Sequence, residues 1–278
     1  SHSIEYSDTS VTIKLIVSGK ENEIRSQEGT FDKKVSEIIS KVPAGDDYAK
    51  ALYLHDYLIE KVTYSQAALK EMSTSNAQGK YIPETTSYGA IINNSAVCSG
   101  YSAAYQYLLS QVGIESSTVS GTSLKNGINH AWNVVKMDGE YYHTDVTWDD
   151  PSFDGNADMG IFYDYFGVTT DEILKTHSID SKENAPKCTA LKDNYFVREG
   201  RYFDTYSFDK VSPIISEGLK NGIFSIKFAS QSEFEKCMED LFDDSKIFQI
   251  DYFKNKTGAK NISHSEQSEM NIVTFIIK

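Results

Sequence analysis

Between Val11 and Val17 apolar and polar side chains alternate, the period of two expected of a half-buried strand that Gly19 would end. Residues 1–29 accordingly read as a strand segment left from a preceding domain. Val35, Ile38, Ile39 and Val42 then take up helical spacing, and Pro43 stops that helix. A second helix is expected from Asp46, a suitable N-cap, with Tyr48, Ala51, Leu52, His55, Leu58, Ile59 and Val62 on one stripe. His55 on that stripe reads as a satisfied core histidine.

The stretch from Ser65 to Ala96 is polar and rich in Ser, Thr and Asn. It is long for a simple connection, and loops of that length are often lids or grooves. It leads straight to Cys98. From Ser99 onward Tyr101, Ala104, Tyr105, Leu108 and Val112 keep helical spacing, with Gly113 suited to the position after the last turn. Cys98 is therefore expected at a helix N-terminus. Two β-prone runs follow, His130 to Met137 and Glu140 to Trp148, joined by Asp138-Gly139, the dipeptide of a two-residue type I′ turn.

After Asp149, Asp150 and Pro151 the chain is rich in Gly and Asp to about Asn156, then loosely patterned past Pro186 to Asn194, where a domain boundary is expected. Beyond Tyr195 the pattern is strand, helix (Val211, Ile214, Ile215, Leu219), strand (Ile223 to Phe228), helix (Phe234, Cys237, Met238, Leu241) and a closing strand from Asn271 to Ile277. This second unit, 195–278, reads as a small α+β domain without a chemical motif. Residues 30–194 read as the larger domain, the one that holds Cys98 and the hairpin.

Composition narrows the function. With 278 residues, 40% apolar and 24% charged, the chain can bury a sizeable core, or a core with a companion. The formal charge of −13 and the absence of a Lys/Arg cluster exclude nucleic acid as an expected partner. No apolar run reaches the roughly 20 residues of a membrane-spanning helix. The opening Ser1-His2-Ser3, without Met, is expected of a processed chain or of one whose leader has been removed. The three cysteines, Cys98, Cys188 and Cys237, are widely spaced and cannot all pair, so neither a disulfide framework nor a Cys-rich metal site is expected. No metalloprotease, phosphate-loop or dinucleotide signature is present.

A helix N-terminus favours thiolate over thiol and offers backbone N–H groups to an oxyanion, a contribution of about 2.7–4 kcal/mol per donor in acyl-transfer enzymes. Cys98 has that placement. Counting outward from the Asp138-Gly139 turn, partner numbers sum to 277, so His130 falls opposite Thr147 and Trp132 opposite Asp145. His130 and Asp145 then share a face as diagonal neighbours, close enough for a hydrogen bond. In that arrangement Cys98 is the nucleophile, His130 the base and Asp145 the group that orients it. His143 shares the face and is the local rival of His130, but it lies nearer the turn. Trp132 and Tyr101 read either as walls of a substrate channel or as packing residues. Asp149 and Asp150 read as turn formers beside Pro151. Cys237, on an apolar stripe, reads as a core residue; Cys188 reads as structural or exposed, and His177 as a loop anchor or part of the site rim.

The segments AVCSGYSAAYQYLL (96–109), Gly113-Ile114 and NHAWNVVKMDGEYYHTDVTWDDP (129–151), in the order Cys, His, Asp, resemble the transglutaminase-like superfamily of papain-related thiol enzymes. Tyr163 to Phe166, followed by His177, Pro186 and Cys188, is similar to the tail of exported bacterial members. The resemblance implies an α+β fold in which a Cys-bearing helix packs on an antiparallel sheet. It also implies acyl transfer on peptide or protein amides through a thioester, without cofactor or metal. An extracellular or cell-surface location, a substrate associated with the cell wall, and Tyr88 as a second oxyanion donor follow from the same resemblance. The competing expectation is a non-catalytic peptide- or surface-binding module with a vestigial triad.

Overall fold

The computed structural model describes residues 2–7, 10–15, 21–74, 80–154, 160–180, 185–254 and 262–277. At the N-terminus β1 (His2–Ser7) and β2 (Ser10–Leu15) pair as an antiparallel hairpin. The expected strand thus ends at Leu15, and Ile16 to Gly19 lie outside the described residues. The helices α1 (Glu21–Ile39) and α2 (Asp47–Lys61) follow. Asp46 caps α2 as expected, its Oδ1 accepting from Ala49 N at 2.9 Å.

The polar stretch before Cys98 is more ordered than its composition suggests. It holds β3 (Thr63–Tyr64), α3 (Gln66–Met72), a single 3₁₀ turn at Pro83–Thr85, α4 (Ser87–Asn93) and β4 (Ser95–Ala96). Ser65 and Thr86, which composition files under loop residues, are side-chain caps of α3 and α4. Residues 75–79 of the expected lid lie outside the described residues.

The central helix α5 (Cys98–Gln111) packs on a five-stranded antiparallel sheet. Its strands are β5 (Ser116–Ser123), β6 (Asn129–Met137), β7 (Glu140–Thr144), β8 (Phe166–Val168) and β9 (His177–Ile179), in spatial order β8-β7-β6-β5-β9. The helix is tied to the sheet where Ser102 Oγ donates to Ala131 O at 2.9 Å and Asn133 Nδ2 donates to Ser102 O at 3.1 Å. Its first turn lies so close to the Pro83–Thr85 turn that a Cβ on Gly100 would collide with Glu84 O. The mixed architecture is the α+β fold expected of a papain-like, transglutaminase-like core.

The Asp138-Gly139 turn has φ of +48° and +95°, as a type I′ turn requires, and pairing runs from Met137↔Glu140 to Asn133↔Thr144. The counted register holds that far. Pairing with β6 stops at Thr144, so the pairs His130–Thr147 and Trp132–Asp145 do not form; on the other side of β7 the ladder with β8 carries a bulge between His143 and Thr144. Asp145 N donates to Tyr165 O at 3.2 Å instead, and its Oδ1 accepts from Thr147 N at 3.1 Å and Trp148 N at 3.2 Å, turning the chain.

The segment expected to be loose supplies both edge strands of the sheet, β8 and β9, and the short helix α6 (Thr170–Ile173) between them. The Thr169-to-Glu172 capping box that starts α6 was a legible signal for order. Residues 155–159 and 181–184 lie outside the described residues.

Further along come α7 (Tyr195–Arg198), β10 (Tyr202–Phe203), α8 (Phe208–Gly218), β11 (Ile223–Phe228), α9 (Gln231–Met238), α10 (Asp251–Lys254), β12 (Ile262–Gln267) and β13 (Ile272–Ile277). Their four-stranded sheet has the order β10-β11-β13-β12. Buried residues gather in two clusters. One runs from Val35 to Phe196 and takes in Met270 and Ile272; the other runs from Val211 to Phe275. Tyr195 and Phe196 of α7 therefore pack with the first core.

Candidate active site

Cys98 opens α5, half-buried, behind an N-cap, Val97, that has no side chain able to accept from the helix. The helix terminus is thus left to whatever anion forms at the sulfur or beside it. His130, near the start of β6, is buried, and its Nε2 stands 2.6 Å from Asp145 Oδ2. The Cys98 sulfur is near enough to favour the cation of this ring, and with Nε2 on Asp145 the nitrogen left to face it is Nδ1. Burial alone would make this imidazole harder to protonate. The Asp145 carboxylate and the Cys98 sulfur outweigh that and push its pKa up to about 10. Asp145 is itself fully buried, which favours the neutral acid, yet His130 and His177 together hold it well below the usual carboxylate range.

The other expected residues divide sharply. The ring of His143 is buried, and its nitrogens are taken by Trp132 Nε1–H at 3.0 Å and Thr170 Oγ1 at 3.1 Å. Burial pushes its pKa down to about 4, so it is a neutral acceptor at pH 7. Trp132 is buried between His130 and His143 and does not wall a channel; it fixes rings. Tyr101 is also interior, its hydroxyl 2.5 Å from Asp150 Oδ2 and 3.1 Å from Val62 O. The reason is the same for both: each has its one polar atom paired inside the core, so the whole side chain can be buried. Tyr88 lies half-buried in the first turn of α4 with its ring stacked on Phe31.

Asp150 Oδ1 accepts from Ser152 N at 2.7 Å, the expected turn-forming role. Asp149 does more than turn the chain. Its Oδ2 meets His55 Nε2 at 3.2 Å, and its Oδ1 accepts from Tyr165 N at 2.9 Å. Asp56 Oδ1 lies 2.9 Å from the other nitrogen of His55, which is thus a fully buried imidazole between two carboxylates. Cys188 and Cys237 are buried, and burial pushes the Cys188 thiol up to about 11 and the Cys237 thiol higher still.

His177 belongs at the centre rather than the rim. Its Nε2 lies 3.2 Å from the same Asp145 Oδ2 that meets His130, and its ring packs among Trp132, Trp148 and Tyr165. It arrives there because β9 docks on β5, pairing Ser123↔His177 and Gly121↔Ile179. The docking needs Gly121, where a Cβ would collide with Ser178 O. Nothing near His177 in the sequence announces the contact; only the glycine hints that two backbones approach closely.

His130, Asp145 and His177 present ligand-type atoms within 4.8 Å of one another, the grouping a divalent cation could use. Both Nε2 atoms, however, sit at hydrogen-bond distance from Asp145 Oδ2, 2.6 and 3.2 Å, so shared protons account for the arrangement.

Compared with known proteins, residues 36–146 match the family model described as the Transglutaminase-like superfamily. No curated protein matches the chain. Among solved structures, a TGase is similar at 14% identity with a TM-score of 0.37, over 52% of this chain and 43% of that one. A candidate cysteine protease from Cytophaga hutchinsonii is similar at 17% identity with a TM-score of 0.33, over 46% of this chain and 43% of that one. The chain thus spans less than half the length of either.

Proposed function

With a transglutaminase-like core across residues 36–146 as the premise, we propose that the protein carries out cysteine-dependent acyl transfer on peptide or protein amides, with Cys98, His130 and Asp145 as its working groups. The observation that carries this reading is one imidazole, His130, hydrogen-bonded through Nε2 to the Asp145 carboxylate and raised in pKa by the neighbouring Cys98 thiol, which stands at a helix N-terminus.

Cys98 transfers its proton to His130 and its sulfur attacks the amide carbonyl. The oxyanion gathers at the N-terminus of α5, and the tetrahedral species collapses as His130 returns the proton to the leaving amine. A thioester remains on Cys98. Water releases an acid from it, and an amine releases a new amide; in either case His130 takes the acceptor's proton and returns it to the sulfur. Asp145 keeps the imidazole in the tautomer that faces the thiol and stabilises its cation.

Iodoacetamide labelling at neutral pH, read by mass spectrometry, tests the nucleophile. Cys98 is expected to react far faster than Cys188 or Cys237, whose thiols are buried. A second assay incubates the protein with a peptide mixture and hydroxylamine; hydroxamates or free acids should form, and Cys98→Ala should abolish both while leaving the melting temperature within a few degrees. Equal labelling of all three thiols, or turnover that survives Cys98→Ala, would remove Cys98 from the mechanism and favour a binding module.

A further inference from the structure

The Asp145 carboxylate accepts four hydrogen bonds: two backbone N–H groups, of Thr147 and Trp148, hold Oδ1, and two imidazoles, His130 and His177, converge on Oδ2. The backbone pair already fixes the orientation of the carboxylate, so a second imidazole on Oδ2 is not needed for that. What it changes is the strength of the acceptor. Each donor to an anionic oxygen lowers its attraction for the next proton. The donors are also ordered. Gln267 Nε2 donates to Tyr165 Oη at 2.8 Å, and Thr176 Oγ1 lies 2.9 Å from His177 Nδ1 and 3.4 Å from Ile173 O. The Asp145 carboxylate can only accept, so the hydrogen of this contact is on His177 Nε2, and in the neutral ring Nδ1 is the acceptor for the Thr176 hydroxyl.

We propose that His177 is a positioning residue of this site, sharing Asp145 Oδ2 with His130 so as to limit how tightly Asp145 holds the proton of His130. Its tautomer is set between the Asp145 carboxylate on Nε2 and the Thr176 hydroxyl on Nδ1. The inference rests on the proposed roles of Cys98, His130 and Asp145. An imidazolium held too tightly is a poor acid for a leaving amine, so the sharing keeps His130 able to give its proton back. The groups facing His177 are His130 and Trp132 on β6, Asp145 and Trp148 in the turn after β7, Tyr165 before β8 and Thr176 beside it, with His143 of β7 beyond Trp132.

The test is an NMR titration of His130 in ¹⁵N-histidine-labelled protein. In His177→Phe, which keeps a ring among the aromatics but removes the donor, the His130 midpoint is expected to rise by about one pH unit, as for loss of one hydrogen bond to a charged group. His177→Gln, which retains an amide donor, should return most of that shift. Thr176→Val should shift His130 in the same direction by a smaller amount, and it decides the matter if His177→Phe does not fold. An unmoved or lowered His130 midpoint in these variants overturns the proposal. The titration needs no turnover. Absence of selective Cys98 labelling in the parent would overturn the acyl-transfer reading even where the titration shows the coupling.

Discussion

Among the described residues, the buried imidazole–carboxylate pairs His130–Asp145 and His55–Asp149 differ in what faces the second ring nitrogen. In His130–Asp145 the carboxylate is surrounded by N–H donors, and the neighbour that favours the ring's cation besides Asp145 is a half-buried thiol, Cys98. In His55–Asp149 the far side of the ring is closed by a second carboxylate, Asp56, and the ring is sealed from solvent. The His55 imidazole, opposed by burial but held by two anions, has its pKa pushed up to about 9, while burial brings Asp149 up to about 6. At neutral pH this is a closed ion pair with no nitrogen to lend. Adjacency of His and Asp is therefore a weak sign of catalysis; the partner of the second ring nitrogen is the informative one.

The largest expected contrast is in stability. His55→Ala leaves Asp149 buried without its counter-ion, keeping the Tyr165 N–H on Oδ1, and should cost about 3–5 kcal/mol in urea unfolding, the range for breaking one side of a buried pair. His130→Ala should cost less, because Asp145 keeps His177 and two backbone donors. A greater loss for His130→Ala would reverse the assignment of structural and working pairs.

Activity should show the opposite order. His130→Ala is expected to lower Cys98-dependent turnover by about 10²-fold or more, as for loss of a general base, while folded His55→Ala stays within a small factor of the parent. Rate measurements in the peptide and hydroxylamine assay decide it, and equal losses would merge the two sites into one.

Asp145→Asn should reduce turnover at least about tenfold, because the amide neither stabilises the imidazolium nor selects its tautomer; in a serine triad the same change costs about 10⁴. His143→Ala should do far less, since its ring holds Trp132 and Thr170. If His143→Ala proved the more damaging of the two, the choice of base would be wrong.

The smallest effect is a slope with pH. His55 has a folded pKa of about 9 against an ordinary value of 6.5, so between those values the folded state binds the extra proton. Its contribution is complete below 6.5 and is lost as pH rises through 9. Stability should therefore fall on the alkaline side, by at most about 1.4 kcal/mol per pH unit for this group. His130, pushed up to about 10, adds a second slope of the same sign. Urea unfolding across pH 6 to 10 should show a shallower fall in His55→Gln, and an unchanged slope would mean that His55 is not a cation at neutral pH.

Sequence alone determined what is local. Helical spacing placed Cys98 at the start of α5, and the Asp138-Gly139 dipeptide set a hairpin register that holds from Met137↔Glu140 to Asn133↔Thr144, short of His130 and Asp145. These follow from backbone geometry over a few residues, which side-chain identity at i, i+2 or i+4 is enough to reveal. Order in the polar stretch before Cys98 was legible too, in the caps Ser65 and Thr86, but composition masked it.

Tertiary structure decided the rest. The departure of Asp145 from the ladder depends on Tyr165, twenty residues on, and the docking of β9 at Gly121 carries His177 to the carboxylate. Tyr101 and Trp132 became interior residues only because Asp150 and His143, distant in sequence, came to meet their polar atoms. Such contacts join segments whose own patterns are satisfied in many ways, so they are selected by close packing and by the need to pair every buried polar group.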